Sequence, residues 1–337
     1  MNHEGGGEPD GNLFNGMQIR TEEIGFAVGE MIACGQCGRS NAPNRAACIY
    51  CASPLDIPAG TAAAGRLNLR RPETWESGWS IIILPMENVT AEKIAELAAM
   101  FSIENESFAG LLEKRITLPV IRVGSEEDAR LAASKLEAAG TAYRLLTDES
   151  LAAKTPPIRI RELEFTENQL VITPFNSGPA VTVGRDDLIL IVIGKLLEFR
   201  SEMIATRKKK QSLISNEIQS SADEAVIDIY SRNSESGWRI REKGFVFSCL
   251  GMERSIIAGQ NMETLATRLR EFSPNAKFVD DYTSVRKALN DVWALEESRE
   301  SLGVHRSITG RVDIGSRNIS NNTNQFTKYS RMHRHLL

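Results

Sequence analysis

Four cysteines set the strongest constraint on this chain. Cys34-Gly-Gln-Cys37 and Cys48-Ile-Tyr-Cys51 form two C-x-x-C pairs separated by ten residues. Each pair is a knuckle that turns two sulfurs toward one point, and ten residues suffice to bring the second knuckle round to complete a tetrahedron. Four thiolates fill the coordination sphere of a zinc ion and leave no open position. The spacing therefore predicts one structural zinc ion held by Cys34, Cys37, Cys48 and Cys51, rather than a catalytic one. Rubredoxin-like iron sites use similar knuckles with a longer separation, and iron–sulfur ferredoxin spacings differ from this one. The alternative for the same four residues is unpaired or redox-active cysteines.

Thiolate sites persist where thiols are kept reduced, and the chain starts Met1-Asn2-His3-Glu4 without a basic start or an apolar middle. Both features predict a cytoplasmic protein. No membrane span is expected, because the longest apolar run, Leu188 to Gly194, is strand-length. The Asn-x-Ser/Thr triplets at Asn318 and Asn321 then read as chance matches. With 337 residues, 42% of them apolar and 25% charged, the chain has material for two or three folded domains. A net charge of -4 gives no global field toward nucleic acid or membrane. Its distribution is uneven, since Val304 to Leu337 holds six Arg or Lys and one acidic residue.

Patterning divides the chain into six parts and predicts a multidomain α+β fold. Residues 1–31 are Gly-rich and polar and read as a disordered lead-in; Gly5-Gly6-Gly7 lacks the Lys-Ser/Thr of a phosphate loop. Residues 32–55 hold the cysteines, and 56–76, with Pro, Ala and Gly but no apolar period, read as a linker that tethers them without packing. Residues 77–148 predict a compact α/β sandwich. Ser80-Ile-Ile-Ile-Leu84 is a buried strand, and Thr90 caps a helix carrying Ile94, Leu97, Ala98 and Phe101 on one face. A short helix with Phe108, Leu111 and Leu112 follows, then a strand from Leu118 to Val123. Ser125 with Glu126, Glu127 and Asp128 opens a third helix ending at Gly140, and Tyr143 to Leu146 is the last strand. The order is βααβαβ, with helices on one face of a three-stranded sheet.

Residues 157–298 read as a strand-rich, barrel-like domain with two C-terminal helices. Strands are expected at Ile158 to Phe165, Gln169 to Thr173, Ala180 to Val183, Leu188 to Ile193, Glu224 to Tyr230, Trp238 to Arg241 and Gly244 to Cys249, with a tight turn at Lys243-Gly244. Seven antiparallel strands would close or nearly close a barrel. Helices are expected at Met262 to Phe272 and from Tyr282 to about Glu297. Residues 299–337, rich in Asn, Ser, Arg and His, read as a disordered basic tail.

Around the cysteines the sequence resembles the small bacterial zinc-ribbon family, with Gly38 after Cys37, Asn41 three beyond Gly38, and Leu55 four beyond Cys51. The spacing also resembles Ran-binding-protein type fingers, some of which bind single-stranded RNA, although their Trp before the first cysteine is replaced here by Met31, Ile32 and Ala33. Residues 79–147 resemble the C-terminal domain of the ribosomal stalk protein and the Clp protease adaptor, through Lys93-Ile94-Ala95, Glu126-Glu127-Asp128-Ala129 and Lys135-Leu136-Glu137-Ala138-Ala139-Gly140. That resemblance implies a fold. The stalk domain's Lys-rich factor-binding turn is replaced by the acidic Ser102-Ile-Glu-Asn-Glu-Ser107. The strand-rich region is broadly similar to pleckstrin-homology-like barrels.

The four histidines are His3, His305, His333 and His335, so 4–304 has none. This argues against Ser-His or Cys-His nucleophilic catalysis and against a histidine-ligated metal. Cys249 reads as a small core residue, and Asp186-Asp187 and Asp280-Asp281 are carboxylate neighbours of which one of the latter pair suits a helix cap. Arg207-Lys208-Lys209-Lys210 reads as a solvated tip. The basic tail, with Phe326 and Tyr329 among its cations, offers charge with stacking groups. The sequence thus predicts no enzyme but a protein-interaction or adaptor module with a protein partner; the alternative is a nucleic-acid binder using the cysteine segment and the tail.

Overall fold

The computed structural model describes residues 26, 28–57, 67–87, 89–151, 155–176, 178–207, 214–306 and 312–337. Most of the expected lead-in, the middle of the expected linker at 58–66, Lys208 to Lys210 and 307–311 of the expected tail lie outside the described residues.

The cysteine segment begins with a two-stranded ladder, β1 (Ile32–Ala33) against β2 (Ser40–Asn41), in which Ile32 faces Asn41. An isolated bridge joins Ala47 to Pro54, and Leu55 packs with Cys34, Cys48, Ile32 and Ile57 in a core of its own. The segment is not merely tethered. Ala46 belongs to the next module's core, and Asn68 N–H donates to the Asn44 carbonyl. The following residues are tied down as well: Leu67 N–H donates to Met100 O, Gly124 N–H to Arg70 O, and Arg70 N–H to the Asp128 carboxylate. Leu67 is buried, so the second part of the expected linker is a packed segment laid over the α/β module.

That module follows the order expected from its patterning: β3 (Trp79–Ile83), α1 (Ala91–Phe101), α2 (Asn105–Leu112), β4 (Leu118–Val123), α3 (Glu126–Ala138) and β5 (Tyr143–Thr147), then a single turn α4 (Asp148–Leu151). The sheet order is β4-β3-β5, all antiparallel. Helix α1 starts where Thr90 Oγ1 accepts from Lys93 N–H at 3.2 Å, and α3 where Ser125 Oγ accepts from Asp128 N–H at 3.1 Å. The unbroken Ile81-Ile82-Ile83 run arises because β3 is covered on both faces. Ile81 and Ile83 meet the helices, whereas Ile82 enters a second core formed with the C-terminal half of the chain.

The rest of the chain is dominated by one nine-stranded sheet that curls into a half-barrel. Its strands are β6 (Ile158–Phe165), β7 (Gln169–Pro174), β8 (Val181–Gly184), β9 (Leu188–Arg207), β10 (Ile214–Ser231), β11 (Trp238–Arg241), β12 (Lys277–Val279), β13 (Glu296–Arg306) and β14 (Val312–Asn321). The order is β13-β14-β9-β10-β11-β6-β7-β8, with β12 beside the first part of β9. Among the described residues, strands β8 and β13 end the sheet without pairing to each other, so it is a half-barrel rather than a closed one. One face is covered by α5 (Ala258–Phe272), which lays Met262, Leu265 and Leu269 on Ile191, Ile227, Trp238 and Ile240. The other carries Leu190, Val192, Val226 and Tyr230 against the turn α6 (Tyr282–Val285) and the C-terminal helix α7 (Thr323–His335).

Several expectations need correcting here. Gly244 to Cys249 does not form a strand: a 3-10 segment spans Phe247–Glu253, with Phe247 and Leu250 buried under α5. The helix expected from Tyr282 to about Glu297 stops at Val285, is followed by a 3-10 turn at Ala288–Asp291, and gives way to β13 at Glu296. The largest departure is 299–337. In place of a disordered tail, β13 and β14 join the sheet and α7 fills the second core, with Phe326, Tyr329 and Met332 fully buried. Helix α7 reads as polar because polar side chains are buried beside its apolar ones, and several of them find partners. Tyr282 Oη donates to Gln325 Oε1 at 2.8 Å, Asn322 Nδ2 donates to Tyr282 Oη at 2.9 Å, and Gln325 Nε2 donates to Trp293 O at 3.0 Å. Tyr230 Oη lies 2.8 Å from Ser330 Oγ. A satisfied polar network is compatible with burial, and composition alone does not distinguish it from a solvated tail.

Gly194 of β9 shows how close the helix comes. A Cβ there would stand 2.6 Å from Phe326 Cε2 and 2.8 Å from Tyr282 Cδ1. Helix α7 also reaches the first module, where Lys328 Nζ and the Arg122 guanidinium both hold Asp148. Trp293 Nε1 donates to Ser80 Oγ at 2.9 Å across the same junction.

Candidate metal centre

The fold brings the four cysteines together. Their sulfurs all lie within 4.8 Å of one another, with Cys34 Sγ to Cys51 Sγ and Cys37 Sγ to Cys48 Sγ each 3.6 Å. All four are free thiols. Sulfurs placed about 2.3 Å from a central zinc form a tetrahedron with edges of about 3.8 Å, so the cluster has the size of an S4 site.

The two knuckles are built alike. Cys34 N–H donates to Arg39 O and Gly38 N–H to Cys34 O; Cys48 N–H donates to Ser53 O and Ala52 N–H to Cys48 O. In both, the residue after the second cysteine takes a left-handed conformation, Gly38 at φ 69° and Ala52 at φ 58°. The first is a glycine, which adopts that region without strain.

Asn41 couples the knuckles. Fully buried, it donates through Nδ2 to Arg39 O at 2.9 Å and toward Cys48 Sγ at 3.4 Å, while its Oδ1 accepts from Ile49 N–H at 3.0 Å. In the sequence Asn41 stands out only through the zinc-ribbon resemblance; physically it orients the sulfur donors by its hydrogen bonds without being a ligand itself. Tyr50 N–H also points at Cys48 Sγ at 3.4 Å, and Cys51 Sγ lies 3.4 Å from the Ser53 hydroxyl.

These contacts split the thiols. Burial pushes Cys48 up, but the N–H groups of Tyr50 and Cys51, the Asn41 amide and Cys37 outweigh it and bring the thiol down to about 6. Cys37 has the Arg39 N–H pulling down, yet burial and the three neighbouring sulfurs push it up to about 11. A fourth negative charge beside three others is the hardest to form without a cation, and a divalent metal supplies that charge. The donor set, its size and the N–H groups aimed at its sulfurs therefore fit a soft or borderline divalent ion, zinc included.

Among the described residues, the other candidate groups lie apart from one another. Cys249 is half-buried, and burial pushes its thiol up to about 11 despite the Arg268 charge. Asp186 and Asp187 sit in a 3-10 turn. Asp281 precedes α6 without a side-chain cap bond and accepts from Tyr329 Oη, whereas Asp280 lies 3.6 Å from Arg270. His335 Nε2 lies 2.8 Å from Ser150 O, and His333 is buried. Among the described residues, the tail's two rings, Phe326 and Tyr329, are core residues rather than an exposed stacking platform; Arg331 is bonded to Glu235 O and Ser236 O, and Arg317 pairs with Glu202.

Compared with family models, curated proteins and solved structures, the chain matches none. What fold and site define is a mixed α+β protein with a four-cysteine cluster that could hold a metal ion. No helix among the described residues is long and apolar enough to cross a membrane.

Proposed function

We propose that this chain is a non-enzymatic protein-interaction or adaptor module whose cysteine segment is a zinc ribbon with one structural zinc ion. The four-thiol site supports the zinc reading because every donor comes from the chain, which leaves no position for substrate. The βααβαβ order of the first module supports its likeness to the stalk-protein C-terminal domain, and the curled sheet covered by α5 supports a barrel-like second module.

One observation carries the interaction reading. Strands β9, β10, β13 and β14 run on as a four-stranded arm beyond the part of the sheet that α5, α6 and α7 cover. Among the described residues, no strand other than β14 pairs with β13, and none other than β9 pairs with β10 over 214–223, so no further strand lines either outer edge of the arm. Exposed Met203, Ile218 and Leu302 stud the arm. Open strand edges with apolar side chains accept an extended segment from another protein by strand addition. A photo-crosslinking residue in place of Ile218 or Leu302 tests this in cells: a discrete crosslinked partner is expected, and labelling no stronger than at an exposed site such as Glu271 removes the support.

A second reading, nucleic-acid binding, is favoured by Arg39 lying 4.7 Å above the ring of exposed Tyr50 on the second knuckle. Filter binding at two salt concentrations separates the two, because phosphate contacts weaken steeply with salt. No binding at low salt ends the second reading.

A further inference from the structure

A row of arginines crosses the half-barrel on the face that α7 partly covers. Strands β11 and β6 pair in parallel, with Arg239 opposite Arg159. Trp238, Ile240 and Ile160 point into the core beneath α5, so Arg239, Arg241 and Arg159 point the other way. The inner members are neutralised. Arg239 makes two 2.7 Å bonds to Asp228 beneath α7, and Arg241 pairs with Glu224.

The outer members are not. The Arg159 guanidinium lies 3.9 Å from the Phe175 ring centroid and donates to Lys243 O at 2.5 Å. The Arg161 guanidinium lies 5.4 Å from the same centroid and donates to Phe175 O at 3.1 Å. Among the described residues neither they nor Lys243 form an ion pair with a carboxylate. Burial and the nearby Arg241 charge hold Arg159 below the usual arginine range, with Glu224 opposing. Each guanidinium is fixed by one carbonyl and one ring and keeps most of its five donors free. Two pre-positioned forks on one aromatic ring, with the exposed Lys243 on the backbone whose carbonyl holds Arg159, match a tetrahedral oxyanion, which takes bidentate hydrogen bonds from arginine.

We propose that Arg159, Arg161 and Lys243, arranged around Phe175, form a binding site for a single phosphoryl-type dianion. A nucleic-acid strand fits less well: it needs a continuous track of cations, and the chain carries a net charge of -4. The site is independent of the metal centre and of the arm.

The test uses the full chain labelled with ¹⁵N, following arginine Nε–Hε signals during titration with inorganic phosphate against chloride at constant ionic strength. A saturable shift of the Arg159 and Arg161 signals is expected. It should weaken at least tenfold in the Arg159→Gln/Arg161→Gln variant and severalfold in Lys243→Gln, which alters only an exposed side chain. Tighter binding of a phosphoseryl peptide than of phosphate places the group on a modified protein; equal binding places it on a free phosphate. The proposal is overturned by no saturation below about 50 mM, weaker than two charge-assisted forks should give. It is equally overturned if Lys243→Gln and the double variant bind like the parent, or if a single-stranded oligonucleotide binds more tightly than phosphate while releasing more than about three counterions.

Discussion

Lowering the pH from about 7.5 to about 5 should cost this protein roughly 2 kcal/mol of stability through His333 alone. The ring is 3% exposed, sits edge-on to Tyr329 at 4.8 Å between centroids, and has no hydrogen-bond partner at either nitrogen among the described residues. Burial, aided by the Lys277 charge, pushes its pKa down from 6.5 to about 3. The folded chain therefore keeps a neutral imidazole while the unfolded chain takes up a proton below 6.5. Because the unfolded state binds more protons in that window, stability is intact above 6.5, falls as the pH drops, and stops falling near 3. At about pH 5 the unfolded imidazole is some 1.5 pH units below its pKa, which at about 1.4 kcal/mol per unit gives the stated loss. Urea unfolding at both pH values, for the parent and His333→Phe, isolates the effect, since the carboxylates and cysteines common to both cancel. The variant should lose about 2 kcal/mol less on acidification. It should be no less stable at the higher pH, because two orphaned nitrogens are removed. Equal pH dependence in the two proteins would refute the reasoning, as would an NMR titration of His333 with an ordinary midpoint.

Elemental analysis of protein purified without added metal should find about one zinc per chain, and Cys48→Ser/Cys51→Ser should abolish it, since two thiolates cannot close the site. Asn41→Ala should keep the four sulfurs but lower zinc affinity by about 10- to 100-fold in a competition titration, because both knuckles lose their shared brace. Gly194→Ala should destabilise by about 1–3 kcal/mol in denaturant, as the new methyl meets two aromatic rings within an already packed helix–sheet contact. Asp228→Ala should cost about 3–5 kcal/mol by leaving Arg239 buried without its carboxylate.

The features legible in the sequence are those that repeat along it. Cysteine spacing marked the metal site because both knuckles obey the same local geometry. The caps at Thr90 and Ser125 marked two helix starts because capping involves residues three apart. Strands β6 and β11 were delimited to the residue by apolar alternation between turns. Past Leu196, β9 continues to Arg207 with no such signal, because there the strand is held by backbone pairing to β10 and β14 rather than by a buried face. For the same reason β13 and β14, rich in Ser, Asn and charge, carry no strand pattern in the sequence.

The sequence by itself thus determined the chain's local units: two cysteine knuckles, the six elements of the first module and the apolar strands of the second. Only the tertiary structure decided how they are joined. Helix α7 carries an apolar stripe of Phe326, Tyr329 and Met332, but its other buried side chains are polar, and their burial depends on partners far away in sequence, on Tyr230, Arg239, Tyr282 and Trp293. The outer arginine cluster likewise exists only because β6 pairs in parallel with β11 about eighty residues later. Hydrophobic periodicity is a property of neighbours along the chain, whereas satisfaction of a buried polar group is a property of neighbours in space.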